Sequence, residues 1–148
     1  MYEKLKAYKD SGKSIRVGAA GAGWMGSGFV AAVKHVPGMD VSVLADEDLS
    51  RARKVLIEQG GLHPEDIIET DSPGKAADAV NIGKRVITGD TTLASKLDAV
   101  DIITDVTPSP ASGAETALAA INDGMALLVL VFTCFPFAQI GWTRRERN

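Results

Sequence analysis

Ile15-Arg16-Val17-Gly18-Ala19-Ala20-Gly21-Ala22-Gly23-Trp24-Met25-Gly26 is the stretch on which the reading of this chain turns. A short segment of strand character runs straight into three glycines spaced G-x-G-x-x-G. Residues 27–36 then place Phe29, Val30, Ala32 and Val33 on a helical period, and Pro37-Gly38 ends the run. Strand, glycine turn and helix in that order are what a dinucleotide needs. Gly21 permits the tight turn out of the strand, Gly23 lets the backbone approach a pyrophosphate, and Gly26 lets the helix pack closely on the sheet. The helix directs its N-terminal amides at the phosphates, so Gly21, Ala22, Gly23, Trp24, Met25 and Gly26 are the first candidate cofactor-binding residues.

Working outward, a second apolar strand over 41–45 ends in Asp46, twenty residues beyond Gly26, the spacing at which an acid reaches the adenosine ribose hydroxyls. Residues 50–59 read as a helix with Ala52, Val55 and Leu56 on one face, closed by Gly60-Gly61. Residues 62–84 are broken by Pro64 and Pro73-Gly74 and read as an insertion holding a small-residue helix over 75–82. A strand over 85–88, a short helix over 91–97 and a continuous apolar strand over 100–106 follow. A helix over 112–122 is expected to bury Ala114, Ala117, Leu118 and Ile121, and a fifth strand falls over 127–132. The alternation predicts an α/β chain with a Rossmann-type doubly wound parallel sheet that stops after its fifth strand. Residues 1–14 form a lead-in helix whose Tyr2, Leu5 and Tyr8 pack on the domain edge, 15–132 the cofactor domain, and 133–148 an irregular tail.

Composition narrows the function further. The balance of 16 basic against 19 acidic residues, net −3, leaves no electrostatic footprint for nucleic acid. One cysteine, Cys134, excludes an internal disulfide, and His35 and His63 leave no zinc-ligand spacing, so no metal is expected. The first 14 residues are polar and charged, which sets a cytoplasmic expectation. Residues 124–143 carry no charge, but Pro136, Gln139 and Gly141 interrupt them where the fifth strand is due; a buried strand with a tail is expected rather than a membrane anchor.

Four stretches carry a resemblance: the glycine turn at 21–26, Lys-Arg-Val-Ile-Thr-Gly-Asp-Thr at 84–91, Val-Asp-Ile-Ile-Thr-Asp-Val-Thr at 100–107, and Gly-Ala-Glu-Thr-Ala-Leu-Ala-Ala-Ile at 113–121 with Gly124. With these motifs, residues 2–124 resemble the cofactor half of the homoserine-dehydrogenase-like oxidoreductases. Within that group they are most similar to 1-deoxy-D-xylulose 5-phosphate reductoisomerase-like proteins with a C-terminal SAF domain. The resemblance implies NAD(P)-dependent reduction or oxidation of a small hydroxylated carbonyl compound or sugar phosphate. After Gly124 the family continues with a basic residue and an Asn-containing segment, whereas this chain reads Met125-Ala126-Leu127-Leu128-Val129 and onward to an Arg-rich end. The expectation is a frame-shifted or truncated chain that is inactive alone. No catalytic residue is assigned, and Asp105 is taken as a structural or loop-capping acid.

Similar proteins place basic residues after the second strand to meet a 2′-phosphate, whereas Asp46-Glu47-Asp48 here favours NAD over NADP. Arg51 either meets a phosphate or is a solvated helix-face residue. Thr107 and Pro108 fall where the nicotinamide side should pass, and Asp90 and Thr91 either border the adenine or cap the short helix. The partners expected are a dinucleotide, a small-molecule substrate only where a catalytic domain is supplied, no nucleic acid and no membrane; a homo-oligomer is compatible with the sequence. Two rival readings are a non-catalytic NAD(P)-sensing module and a non-functional fragment.

Overall fold

The computed structural model describes residues 2–129. The expected tail over 133–148, including Cys134, lies outside the described residues, as does most of the uncharged stretch. Among the described residues, no helix is long and apolar enough to cross a membrane.

In chain order the elements are α1 (Tyr2–Asp10), β1 (Ile15–Ala20), α2 (Trp24–Val33), β2 (Met39–Ala45), α3 (Leu49–Glu58), β3 (Ile67–Glu69), α4 (Pro73–Asn81), β4 (Arg85–Thr88), β5 (Ile102–Asp105), α5 (Pro110–Asn122) and β6 (Ala126–Val129). They build a six-stranded sheet in the order β3-β4-β2-β1-β5-β6, every pairing parallel. The chain moves outward from β1 on one side through β2 and β4, and on the other through β5 and β6. The sense of winding therefore reverses between β1 and β5, the crevice where ligands sit in open α/β sheets. Strand alternation feeds two cores. Leu44 and Ile87 face α2 and α3 with Val30, Val33, Ala52 and Leu56, whereas Val43 and Val86 face α4 and the far side with Ala76, Val80, Leu93 and Ile103. Such two-sided burial explains why the strands read as unbroken apolar runs.

Several expectations are corrected. The strand expected as the fifth is the sixth, because Ile67–Glu69, inside the segment read as an insertion, pairs with β4 as an edge strand. Three residues, one of them an exposed Glu69, are too few for alternation to register. The helix expected over 91–97 is a four-residue 3-10 turn, Leu93–Lys96, whose Ala94 sits so close to β1 that a Cβ on Gly18 would collide with it. α1 buries none of its residues, with Tyr2 and Tyr8 exposed. Leu5 alone of the three is half-buried, and its carbonyl oxygen faces Gly38 closely enough that a Cβ there would lie at 2.6 Å.

α5 is rotated relative to expectation. It buries Gly113, Thr116 and Ala120 and leaves Leu118 and Ile121 in solvent. The cause is its close approach to the sheet. Asp105 on β5 lies against Gly113, where an added Cβ would stand 3.3 Å from the Asp105 Oδ1, so only small residues fit that face.

Candidate functional site

The carboxyl ends of β1, β2, β4 and β5 share one edge of the sheet, and the candidate residues are distributed along it. Gly21 leaves β1 at φ +101°, a conformation that L side chains rarely adopt. A Cβ on it would meet Thr107 N and the Val106 carbonyl at 3.0 Å, so the turn is wedged against the end of β5. Gly26 is tighter still: a Cβ there would drive into the carbonyl oxygen of Gly21. Gly23 differs from both, with no atom within 4 Å of where its Cβ would be. Two glycines are required by packing and the third faces open space.

Gly23 is also the N-cap of α2, extended at φ −70°, ψ −161°, and no side chain caps the helix. α2 thus begins three residues earlier than its apolar period indicates, and Trp24, Met25 and Gly26 form its first turn. The N–H groups of such a turn have no partner within their own helix. Ala22 is buried, Met25 half-buried, and Trp24 stands 87% exposed beside the turn. The result is an open ledge of donors at the positive end of a ten-residue helix, suited to an anion.

Asp46 follows β2 and is buried. Its Oδ2 accepts the Ala22 N–H at 2.6 Å, tying this acid to the glycine turn. Its Oδ1 accepts the Asp48 N–H at 2.8 Å and the Arg51 guanidinium at 2.6 Å. Burial alone would raise this carboxyl, but the bonds from Arg51, Ala22 and Asp48 outweigh it and hold the group below the usual carboxylate range. Arg51 is half exposed, and the same contact raises its own pKa. It is placed by α3, whose N-cap Asp48 accepts the Arg51 N–H at 3.0 Å.

On the other side of the glycine turn, Thr107 donates both its N–H (3.2 Å) and its hydroxyl (2.9 Å) to Asp105 Oδ1. Pro108 is exposed in the loop that Ser109 closes as N-cap of α5. Asp105 is fully buried, its Oδ2 has no hydrogen-bond partner, and burial, partly offset by Thr107, pushes its carboxyl up. The acid read as a loop cap does clamp that loop.

The N-cap of the 3-10 turn is Thr92, not Asp90 or Thr91; Asp90 holds that residue by accepting the Thr92 N–H at 2.8 Å and the Thr92 hydroxyl at 2.7 Å, with Lys96 at 3.0 Å. Asp71 is a rim residue that sequence reasoning missed. It accepts the Thr88 hydroxyl at 2.5 Å and the Gly89 N–H at 3.1 Å, joining the loop after β3 to the loop after β4. No local pattern marks it, because its partners lie 17 and 18 residues away.

No family model matches the chain, and no curated protein matches it. Solved structures do. A scyllo-inositol dehydrogenase from Lactobacillus casei is similar at a TM-score of 0.56 and 14% identity, over 79% of this chain and 28% of that one. A myo-inositol dehydrogenase from Corynebacterium glutamicum aligns at 0.56 and 16%, over 78% and 27%. A 3-ketoreductase from Actinomadura kijaniata, held with TDP-benzene and NADP, aligns at 0.53 and 19%, over 79% and 30%. The chain spans less than a third of the length of each of these proteins. What it shares with these oxidoreductases is the Rossmann-like α/β fold.

Proposed function

We propose that this chain is the NAD(P)-binding domain of an oxidoreductase acting on a small hydroxylated carbonyl compound or sugar phosphate, and that its catalytic groups are supplied by sequence beyond residues 15–132. The observation that carries the reading is the open Gly23 at the uncapped start of α2, between two glycines that packing requires. These residues fit a dinucleotide: the pyrophosphate rests on the amides of Gly23, Trp24 and Met25, the adenosine ribose lies toward Asp46 and Arg51, and the nicotinamide passes Thr107 and Pro108. When bound, the nicotinamide supplies the hydride chemistry, while the chain holds the cofactor in place. The named activities of the structural neighbours, two inositol dehydrogenases and a ketoreductase with NADP, support a polyhydroxylated substrate class. The motifs at 84–91, 100–107 and 113–121 support the finer placement among the homoserine-dehydrogenase-like and reductoisomerase-like proteins, and the polar, charged first 14 residues support a cytoplasmic location.

Fluorescence titration of the full chain with NADH and NADPH tests the proposal. Saturable binding of at least one is expected, and Gly23→Val abolishes it with the far-UV dichroism unchanged, since a Cβ at this position has open space around it and the side chain enters the phosphate's place. Equal affinity in the variant would sink the assignment.

A further inference from the structure

We infer that Arg51 is an internal competitor for the ribose position of the proposed cofactor site, so that discrimination between NAD and NADP is set by whether Arg51 stays on Asp46. The inference rests on the cofactor reading above and deepens it. The count of lone pairs carries it. A carboxylate offers about four acceptor positions, two on each oxygen. Three on Asp46 are taken: Oδ1 holds the Asp48 N–H and the Arg51 guanidinium, and Oδ2 holds the Ala22 N–H. The two backbone donors belong to the glycine turn and to the start of α3, so they cannot leave without unravelling the edge of the sheet. One position remains, on a side chain only 5% exposed.

A ribose presents a pair of vicinal hydroxyls, and an acid that reads both needs two free positions. Only Arg51 can vacate the second. Its guanidinium lies on a side chain 50% exposed, so it is the one of the three donors free to swing into solvent. NAD therefore binds against the Arg51–Asp46 contact. With NADP the displaced guanidinium meets the 2′-phosphate, a planar fork on a dianion, and the lost pair is replaced. Asp46 alone favours NAD, Arg51 opposes that preference, and the unmodified chain discriminates weakly.

Parallel titrations of the full chain, Arg51→Gln, Arg51→Lys and Arg53→Gln with NADH and NADPH test this. Arg51→Gln is expected to tighten NADH by about threefold to fivefold, the size of a half-exposed ion pair, and to weaken NADPH by at least as much. Arg51→Lys keeps the charge without the fork and should fall between. Arg53→Gln lies on the same helix but pairs with Glu69 at 3.4 Å, and it should leave the ratio of affinities unchanged. Weaker NADH binding in Arg51→Gln, or an unchanged ratio in both Arg51 variants, would overturn the inference while leaving the cofactor site standing. Absence of binding of either dinucleotide by the unmodified chain would overturn the cofactor reading itself, and this inference with it.

Discussion

Asp46 and Asp105 are buried carboxyls at the ends of neighbouring parts of one sheet, yet their protonation is driven in opposite directions. Three donors on Asp46 stabilise its charged form, so its native pKa lies below the unfolded one. Its stabilising contribution is present above the ordinary carboxylate range and is lost as pH falls through the native value. Asp105 has donors on one oxygen only, and burial raises its pKa. Its contribution has the reverse sign: stability falls as pH rises from the unfolded value toward the raised native one. Urea unfolding followed across pH 3 to 8, a range of about five units around those values, should therefore flatten on its acid limb in Asp46→Asn, which also loses stability at neutral pH. Asp105→Asn is expected to match or exceed the parent at neutral pH, because an amide carries no charge to bury. A loss above about 2 kcal/mol there would mean that the ionised carboxylate is required.

At the scale of elements, the glycine turn is a packing joint, whatever it binds. β1, α2 and the end of β5 converge on Gly21 and Gly26, where a single methyl has no room. Gly26→Ala must push α2 away from the Gly21 carbonyl, although alanine is the better helix former. Overpacking of this kind costs about 1–3 kcal/mol, against roughly 1 kcal/mol gained in helix propensity, and the contact with backbone leaves no flexible atom to give way. A net loss of stability is expected in Gly26→Ala by denaturant unfolding, whereas Gly23→Val, whose Cβ has open space around it, is limited to the cost of a poorer N-cap residue, about 1 kcal/mol. Equal midpoints for the parent and Gly26→Ala would show that α2 is free to shift. The same logic explains α5, where the approach of Gly113 to Asp105 turns the Gly113, Thr116 and Ala120 face to the sheet and leaves the larger apolar residues Leu118 and Ile121 outside.

For the whole molecule, the candidate cofactor residues of the proposed site lie along one edge of the sheet. The carboxyl with a raised pKa, Asp105, is sealed in the core, and the acids on the rim hold loops together. The purified chain is accordingly expected to bind a dinucleotide without substrate-dependent NADH oxidation in a steady-state assay with sugar phosphates, inositols or homoserine; turnover by the pure chain would show that it completes a site of its own. Sequence alone determined the strand–turn–helix entry, the parallel α/β class and the position of Asp46, because each rests on local chemistry: glycine's freedom at positive φ, the apolar periods of strand and helix, and a fixed spacing along one βαβ unit. Tertiary structure alone decided which glycine faces open space, that β3 joins the sheet, which face of α5 is buried, that Asp71 bridges two loops, and that Arg51 already occupies Asp46. Each of these depends on how closely two segments approach, a distance set by packing across the sheet that no local pattern records.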